Sequence, residues 1–245
     1  MRRAANVMIL AGILGVIAIV LYFVGTWAYT ARQQDSLRKE LAADNPGLVA
    51  AEHTVSEKDF VTAESLDQDL SDEAARVAEA KYREELAALR TAAMTYQNKV
   101  RGHVGYPIGW ISIPKIGVNT VMVEGAEQGR SETYLKKGPG HWPETPLPGE
   151  GGSVVFSGHR TTYGAPFFKL SKLKPGDEIQ LTLPYAILRY KVTQVIVVSP
   201  MDVRAVADQG KEELSLAACH PLYSARQRIV AQGDMISFVL LGQGQ

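Results

Sequence analysis

The sequence is poor in cysteine and carries no net charge. Cys219 is the only cysteine among 245 residues, so an internal disulfide is excluded, and neither a C-x-x-C pair nor a tight Cys/His cluster is present to bind structural zinc. The 26 basic and 26 acidic side chains balance, and no long basic run indicates a nucleic-acid partner. We therefore expect no metal, no cofactor and no bound nucleic acid. A lone cysteine in an exported protein is either buried and inert or kept free for its reactivity.

Charged residues are also missing from the start of the chain. No charge occurs between Arg3 and Arg32, and about 20 apolar residues are enough to span a bilayer. Tyr22, Trp27 and Tyr29 lie where an interfacial aromatic belt would be. We interpret residues 1–31 as a short cytoplasmic tip followed by a transmembrane anchor.

Two features leave alternatives open for this segment. A cleaved signal peptide is the competing interpretation, although the apolar stretch is long and residues 26–28 form only a weak cleavage site. Arg2 and Arg3 favour a cytoplasmic N-terminus, whereas further basic residues after the span oppose it. We expect the N-terminus to be cytoplasmic and the remainder extracellular, because the rest of the chain resembles an exported domain.

The segment after the anchor is polar and then helical. Residues 32–70 contain Pro46-Gly47 and no clear periodicity, so they are predicted to be a linker with short helical pieces. Ser71 is a suitable N-cap for a helix that continues to about Lys99. One apolar stripe follows its helical period: Tyr82, Leu86, Leu89, Ala93 and Tyr96. We interpret residues 32–100 as a linker and helical stalk that packs on the following domain, with a coiled-coil or partner-binding helix as the alternative.

From Gly102 onwards the pattern changes to short β-rich runs between turns. Eight strands are predicted: Trp110–Ile113, Thr120–Val123, Ser153–Phe156, Glu178–Leu183, Leu188–Ser199, Leu214–Cys219, Arg228–Ala231 and Met235–Leu241. The alternation slips by one place near Thr193-Gln194, which indicates a bulge. About eight strands in this length are typical of a barrel or a sandwich, so residues 101–245 form a mainly β domain with its boundary near residue 100.

Three polar residues lie at the ends of apolar strands. Cys219 ends one strand and Arg228 begins the next, so a thiol and a fixed positive charge can face one space, an arrangement suited to acyl chemistry. His159 lies just past another strand, after Gly158. Taken singly, a core cysteine, a loop histidine and a surface arginine are the more common interpretations.

Several of these segments together resemble the sortase family. The matching segments, in chain order, are Lys137-Gly138-Pro139-Gly140-His141-Trp142, Leu147-Pro148-Gly149, residues 156–168, residues 173–177 and Cys219-His220-Pro221 through Arg228. The resemblance covers about residues 105–241 and follows an N-terminal anchor. Tyr-Gly-Ala-Pro-Phe and Tyr-Ser-Ala-Arg-Gln-Arg are most similar to class E sortases of high-GC Gram-positive bacteria, with classes C and D next. No Asp-Pro-aromatic lid motif precedes the domain, which argues against class C.

The resemblance implies a membrane-anchored cysteine transpeptidase with a closed eight-stranded β-barrel. Such an enzyme cleaves a C-terminal sorting signal of the Leu-Pro-x-Thr-Gly type between Thr and Gly, and class E members tend towards Ala in place of Pro. The implied partners are secreted proteins that carry the signal, and an acceptor amine on a lipid II-like peptidoglycan precursor or on another protein.

The resemblance also implies the site residues, by matching motif. Cys219 is the nucleophile, His159 the general acid and base, and Arg228 the arginine that stabilises the oxyanion. Arg226 competes with Arg228 for its role, and His220 competes with His159. We prefer Arg228 because it directly precedes an apolar strand, and His159 because neighbours on an extended chain point to opposite faces. His141, His103 and His53 are weaker candidates.

One residue departs from the family pattern. Sortases usually have Thr-Leu-x-Thr before the nucleophile, whereas this chain has Ser215-Leu216-Ala217-Ala218. Ala218 lacks a hydroxyl that we expect to lie within reach of the substrate. This change and the long helical stalk motivate one alternative to a transpeptidase, a catalytically weak sortase homologue that acts as an envelope scaffold. A class C- or D-type sortase with a specialised substrate and a hydrolytic cysteine peptidase on the same barrel are further alternatives.

Overall fold

The computed structural model describes residues 2–48, 54–62, 72–126, 132–208 and 210–242. The helices within these ranges are α1 (Arg2–Asp44), α2 (Asp72–Val100) and the one-turn α3 (Glu132–Leu135). The strands are β1 (Val61–Thr62), β2 (Pro107–Ile113), β3 (Val118–Glu124), β4 (Gly140–His141), β5 (Ser153–Ser157), β6 (Glu178–Leu183), β7 (Ala186–Val198), β8 (Glu213–His220) and β9 (Gln227–Leu240).

Eight of the strands close into a ring. Neighbouring strands pair in the order β9-β7-β6-β2-β3-β4-β5-β8, and β8 pairs back onto β9. β1 adds two residues beside the far end of β9 and is outside the ring. The predicted closed eight-stranded barrel is therefore confirmed, although β4 pairs with only two residues of β3.

The eight strands are not the eight that the sequence pattern predicts. The two runs predicted on either side of residue 233 form one strand, β9, which pairs with both β7 and β8. Gly233 lies in the middle of β9, and a Cβ there would lie 2.7 Å from the carbonyl oxygen of Lys191. Gly233 therefore does not mark a turn between two strands. It is required because the backbone of β7 approaches it too closely for a side chain. The eighth member of the ring is β4, which the pattern does not predict because it is only two residues long.

Alternating side chains of the barrel strands form one hydrophobic core. In β8, Leu214, Leu216 and Ala218 point inward and are at most 3% exposed. The β7–β9 register shifts between Val192 and Gln194, which confirms the predicted bulge. Beyond the bulge Val195 packs against the core, whereas Val197 is 45% exposed, so the regular inward alternation of β7 ends near the bulge.

The apolar N-terminal segment belongs to a longer helix than predicted. The uninterrupted α1 extends to Asp44, so the linker prediction is wrong for residues 32–44. From Phe23 onwards one stripe of α1 is buried or half-buried against the barrel, and its members are Phe23, Thr26, Thr30, Gln34, Leu37 and Leu41. Leu37 and Leu41 pack with Val121 and Val123 of β3, which is why this polar stretch stays helical.

Gln34 fixes α1 to the barrel through backbone hydrogen bonds. Its side-chain amide donates to the carbonyls of Val121, at 3.0 Å, and Lys137, at 2.7 Å. Its side-chain oxygen accepts from the Val121 N–H at 2.7 Å. One side chain therefore bonds both polar groups of Val121, and the helix has a defined position on β3.

The predicted stalk helix is confirmed as α2, which packs along the barrel. Leu89 and Ala93 are fully buried in the barrel's hydrophobic core. The ring of Tyr96 lies 5.6 Å from that of Tyr185. The proposed N-cap Ser71 lies outside the described residues, and the boundary near residue 100 stays a prediction.

Candidate active site

The pairing of β8 with β9 brings Cys219 and Arg228 together. The two residues are direct partners in this antiparallel register. Side chains of directly opposed residues project from the same face of a sheet, with their Cβ atoms about 5 Å apart. Both residues are half-buried. The thiol and the guanidinium thus face one space at the end of the barrel, as the sequence predicts.

His159 is carried towards Cys219 by the parallel pairing of β5 with β8. Ser157 pairs with Ala217, and the Gly158 N–H continues the ladder by donating to the Ala217 carbonyl at 3.0 Å. His159 lies two residues beyond Ser157 at the end of β5, and Cys219 lies two residues beyond Ala217 on β8. The chain then turns into the histidine loop, which we define as residues 158–169.

Gly158 is required by its neighbour within the loop. A Cβ at this position would lie 2.6 Å from an edge carbon of the Phe167 ring, closer than real Cβ contacts allow. The Phe167 N–H donates to the His159 carbonyl at 3.2 Å, and the Phe167 side chain is fully buried. Phe167 therefore anchors the histidine loop to the core, and only glycine lets the ring come so close.

The His159 ring is held by contacts within the same loop. Its Nδ1 lies 3.4 Å from the Thr162 hydroxyl oxygen, and its ring centroid lies 5.0 Å from that of Tyr163. Tyr163 in turn contacts Tyr29 of α1, with 6.2 Å between the ring centroids. A chain of ring contacts thus joins the N-terminal helix to the candidate general acid and base.

Arg160 is a functional candidate that sequence reasoning missed. It is 5% exposed, and its Nη1 donates to the Cys219 carbonyl at 3.2 Å and to Nδ1 of His220 at 2.7 Å. Burial lowers the pKa of Arg160, while the charge of Cys219 acts in the opposite direction. The guanidinium therefore ties the histidine loop to the end of β8. Its position next to His159 in sequence was the only available signal.

His220 is committed to Arg160 and is poorly placed to compete with His159. A guanidinium has no acceptor, so Nδ1 of His220 must accept the hydrogen bond and its proton must lie on Nε2. His220 also pairs with Gln227 on the face opposite to Cys219, as alternation requires.

The weaker histidine candidates are His141, His103 and His53. His141 is buried, with Nδ1 2.8 Å from a carboxylate oxygen of Glu124. His103 is exposed in the turn after α2. His53 lies outside the described residues.

The two arginines of the loop between β8 and β9 differ in their surroundings. We define this thiol loop as residues 221–226. Nη1 of Arg228 donates to the carbonyls of Ala225, at 2.9 Å, and Gln227, at 3.1 Å, so the half-buried guanidinium is oriented at the strand start. Arg226 is exposed, and its backbone and side-chain nitrogens donate to the Ser224 hydroxyl. The geometry favours Arg228 for a role beside the thiol.

Ala218 does not lie beside the candidate nucleophile in space. It is 3% exposed within the hydrophobic core and pairs with the equally buried Ile229. Cys219 points to the opposite face. The expectation that residue 218 lies within reach of the substrate is therefore wrong, since its side chain faces the barrel interior. An alanine there avoids burying a hydroxyl without a partner.

The arrangement is suited to nucleophilic attack on a carbonyl group. A thiol, a histidine that follows the adjoining parallel strand and a guanidinium lie towards one end of the barrel. Within the described ranges, no group of three or more His, Cys, Asp or Glu side chains is arranged to hold a metal ion.

Comparisons with known proteins agree with this chemistry. A family model described as the Sortase domain matches residues 111–236. Sortase D of Bacillus subtilis is 30% identical over 164 residues, which cover 64% of this chain and 79% of the relative. Sortase SrtE1 of Streptomyces coelicolor is 29% identical over 54% of this chain and 41% of its own length.

Solved structures show the same likeness. Sortase D5 of Clostridium perfringens has a TM-score of 0.51 at 27% identity and covers 62% of this chain and 94% of its own. Sortase E1 of Streptomyces coelicolor, solved with a tripeptide in its active site, has a TM-score of 0.51 at 25% identity, with 58% and 94% covered. Since the family model spans the barrel strands from β2 to β9, this chain belongs to the sortase family of cysteine transpeptidases.

Proposed function

We propose that this protein is a membrane-anchored sortase that cleaves a C-terminal sorting signal between Thr and Gly. The signal is of the Leu-Pro-x-Thr-Gly or Leu-Ala-x-Thr-Gly type on a secreted protein. The Thr carbonyl is transferred to an amine of a cell-wall precursor or of another protein. The observation that carries this proposal is the direct pairing of Cys219 with Arg228, next to the strand that leads to His159.

In the first half-reaction, the Cys219 thiolate attacks the Thr carbonyl carbon. The carbonyl oxygen becomes an oxyanion, and Arg228 donates hydrogen bonds to it because its guanidinium stays charged at all relevant pH values. The Thr–Gly C–N bond then breaks, and His159 gives a proton to the leaving glycine amine. A thioester between Cys219 and the Thr carbonyl remains.

In the second half-reaction, the acceptor amine attacks this thioester. His159 takes a proton from the amine, the new C–N bond forms, and Cys219 leaves as a thiolate. The thiolate and the charged histidine are restored, so the cycle is balanced without a cofactor. The expected kinetics are ping-pong.

The placement of the protein is part of the same proposal. Helix α1, over its range from Ala5 to Asp44, is long and apolar enough to suggest a single-pass membrane anchor. We propose that residues 1–31 form a cytoplasmic tip and the anchor, that residues 32–100 connect it, and that residues 101–245 form an extracellular catalytic barrel. The likeness to SrtE1 and Sortase E1 supports assignment to class E.

The function is tested with a fluorogenic sorting peptide, with and without an amine acceptor. Wild type should cleave the peptide and form the amide product. Cys219→Ala and His159→Gln should abolish both reactions, and Arg228→Gln should lower kcat/KM by about 10²–10³, the usual cost of one oxyanion donor.

Matched controls separate these roles from general damage. Arg226→Gln changes the exposed arginine two residues away, and His103→Gln changes an exposed histidine far from Cys219; both should keep near-wild-type activity. A cleavage product that is the same with and without the amine would indicate a hydrolase. A wild-type protein that neither cleaves peptides nor is labelled at Cys219 by a thiol-reactive sorting-peptide mimic would support the scaffold alternative.

A further inference from the structure

Several exposed aromatic side chains lie where α1 meets the two active-site loops. Trp27 and Tyr223 are the most exposed, at 64% and 75%. Tyr22, Tyr29 and Phe168 are also exposed. These residues come from three separate parts of the chain: α1, the histidine loop and the thiol loop.

Ring contacts attach both active-site loops to the same part of α1. The Phe23 ring lies 6.4 Å from that of Tyr223 in the thiol loop. The Tyr29 ring contacts Tyr163 in the histidine loop. Phe23 and Tyr29 are six residues apart, which is about 9 Å along a helix.

The charge pattern of α1 determines where a bilayer would lie relative to this zone. The hydrocarbon core is about 30 Å thick and takes about 20 helical residues. No charge occurs between Arg3 and Arg32, so a span that begins just after Arg3 ends near Phe23. Barrel contacts begin at Phe23, so the hydrocarbon cannot extend further along the helix. Residues from Phe23 to Tyr29 then lie in the interfacial layer.

Basic side chains lie in the same zone. Lys136 is held over the Tyr163 ring, with its Nζ 5.3 Å from the centroid, and its carbonyl accepts a hydrogen bond from Thr30 of α1 at 2.9 Å. The exposed Lys169 lines a groove together with Trp27 and Phe168. Interfacial aromatic rings with adjacent lysines fit the surface of an anionic bilayer.

We propose that the catalytic barrel rests directly on the membrane through a bilayer-contact surface. This surface consists of Leu222 and Tyr223 in the thiol loop, Phe168 in the histidine loop, and the lysines Lys136 and Lys169. The proposal rests on the proposed membrane anchor, and its partner is an anionic phospholipid bilayer. The Tyr223 ring enters the interfacial layer beside Phe23, and the two lysines contact lipid phosphates.

A direct contact with the bilayer has a consequence for the reaction site. Cys219 lies three residues before Leu222, on the strand that leads into the contact surface. The mouth of the site is then held at the bilayer surface, where any reactant tethered to the membrane is concentrated. A barrel on a flexible tether would sample a much larger volume.

The full-length chain reconstituted in liposomes provides the test. Tyr223→Trp adds a fluorophore at the proposed contact, and the wild-type emission of the native tryptophans is subtracted. Lipids brominated near the head of the acyl chain should remove most of the added emission, and lipids brominated near the chain end should remove less. Met94→Trp is the matched control, because Met94 is exposed on α2 and the next residue, Thr95, lines a groove with Asp44 at the far end of α1.

The outcomes distinguish the proposal from its alternatives. If brominated lipids quench the added emission at residue 223 no more than that at residue 94, the proposed bilayer contact is wrong. If the bromine near the chain end quenches more than the bromine near the head, the proposed interfacial position of residue 223 is wrong. Equal quenching in neutral and anionic bilayers overturns the role of the two lysines. Leu222→Trp serves if the first variant misfolds, as judged by thermal unfolding. The measurement does not depend on catalysis, so failure of the proposed enzymatic function would not affect it.

Discussion

Gly158→Ala changes one hydrogen atom to a methyl group beside the candidate active site. The added Cβ would lie 2.6 Å and 2.7 Å from two carbons of the Phe167 ring. Carbon atoms pack best at about 3.5–4.0 Å, so the ring or the histidine loop must move by about 1 Å. The backbone of Gly158 is not in the left-handed region, so only the lack of space opposes alanine.

Two consequences follow from this displacement. Overpacking a well-filled core costs about 1–3 kcal/mol, which should lower the midpoint of urea unfolding. A misplacement of about 1 Å in a catalytic group can cost about 10² in rate. His159 is the next residue, and its carbonyl accepts from the N–H of the displaced Phe167, so we expect a fall in kcat/KM of about that size.

The assay combines peptide transfer with urea unfolding for three variants. Gly47→Ala is the control, because a Cβ at Gly47 meets no atom within 4 Å. Adding Phe167→Leu to Gly158→Ala gives the methyl group room, so the double variant should recover part of the activity lost by the single one. The reasoning is refuted if Gly158→Ala behaves like Gly47→Ala, or if the second substitution brings only further loss.

Two other perturbations test the buried charges. Arg160→Met removes a guanidinium that bonds Cys219 and His220, and hydrogen bonds from charged groups are worth about 1.5–3 kcal/mol, so urea unfolding should show a loss near 2 kcal/mol. The exposed Arg226→Met should change stability by less than about 0.5 kcal/mol, and equal losses would contradict the role of Arg160. Burial raises the pKa of Glu212 above its ordinary value of 4.5, against the opposing effect of Arg90. A raised pKa means that the carboxyl group favours the fold at low pH and loses that contribution as pH rises, so wild type should fall in melting temperature relative to Glu212→Gln as pH rises through and above 4.5. A gap that stays constant with pH would contradict this sign.

Local sequence patterns were sufficient to predict the helices and strands that bury one regular face. The stripe of α2 predicts its helix because residues such as Leu89 and Ala93 recur with the helical period, and these are the residues that the barrel buries. The slip in β7 predicts its bulge for the same reason, since alternation records which face is inside. Two parts of the fold had no such local signal. β4 exists only because β3 and β5 lie on either side of it, and the part of α1 after Arg32 is helical because Leu37 and Leu41 pack on β3.

The sequence by itself determined the chemical types at the site and the class of fold. A single cysteine at a strand end, an arginine at the start of the next strand and a histidine after a third were enough to propose acyl chemistry. Tertiary structure alone decided which groups meet. The parallel pairing of β5 with β8 brings His159 towards Cys219, although the two residues are 60 positions apart in the sequence. Burial assigned Arg160 to the site and moved Ala218 away from it, because the side of a strand that faces water depends on what packs against it and not on the residues themselves.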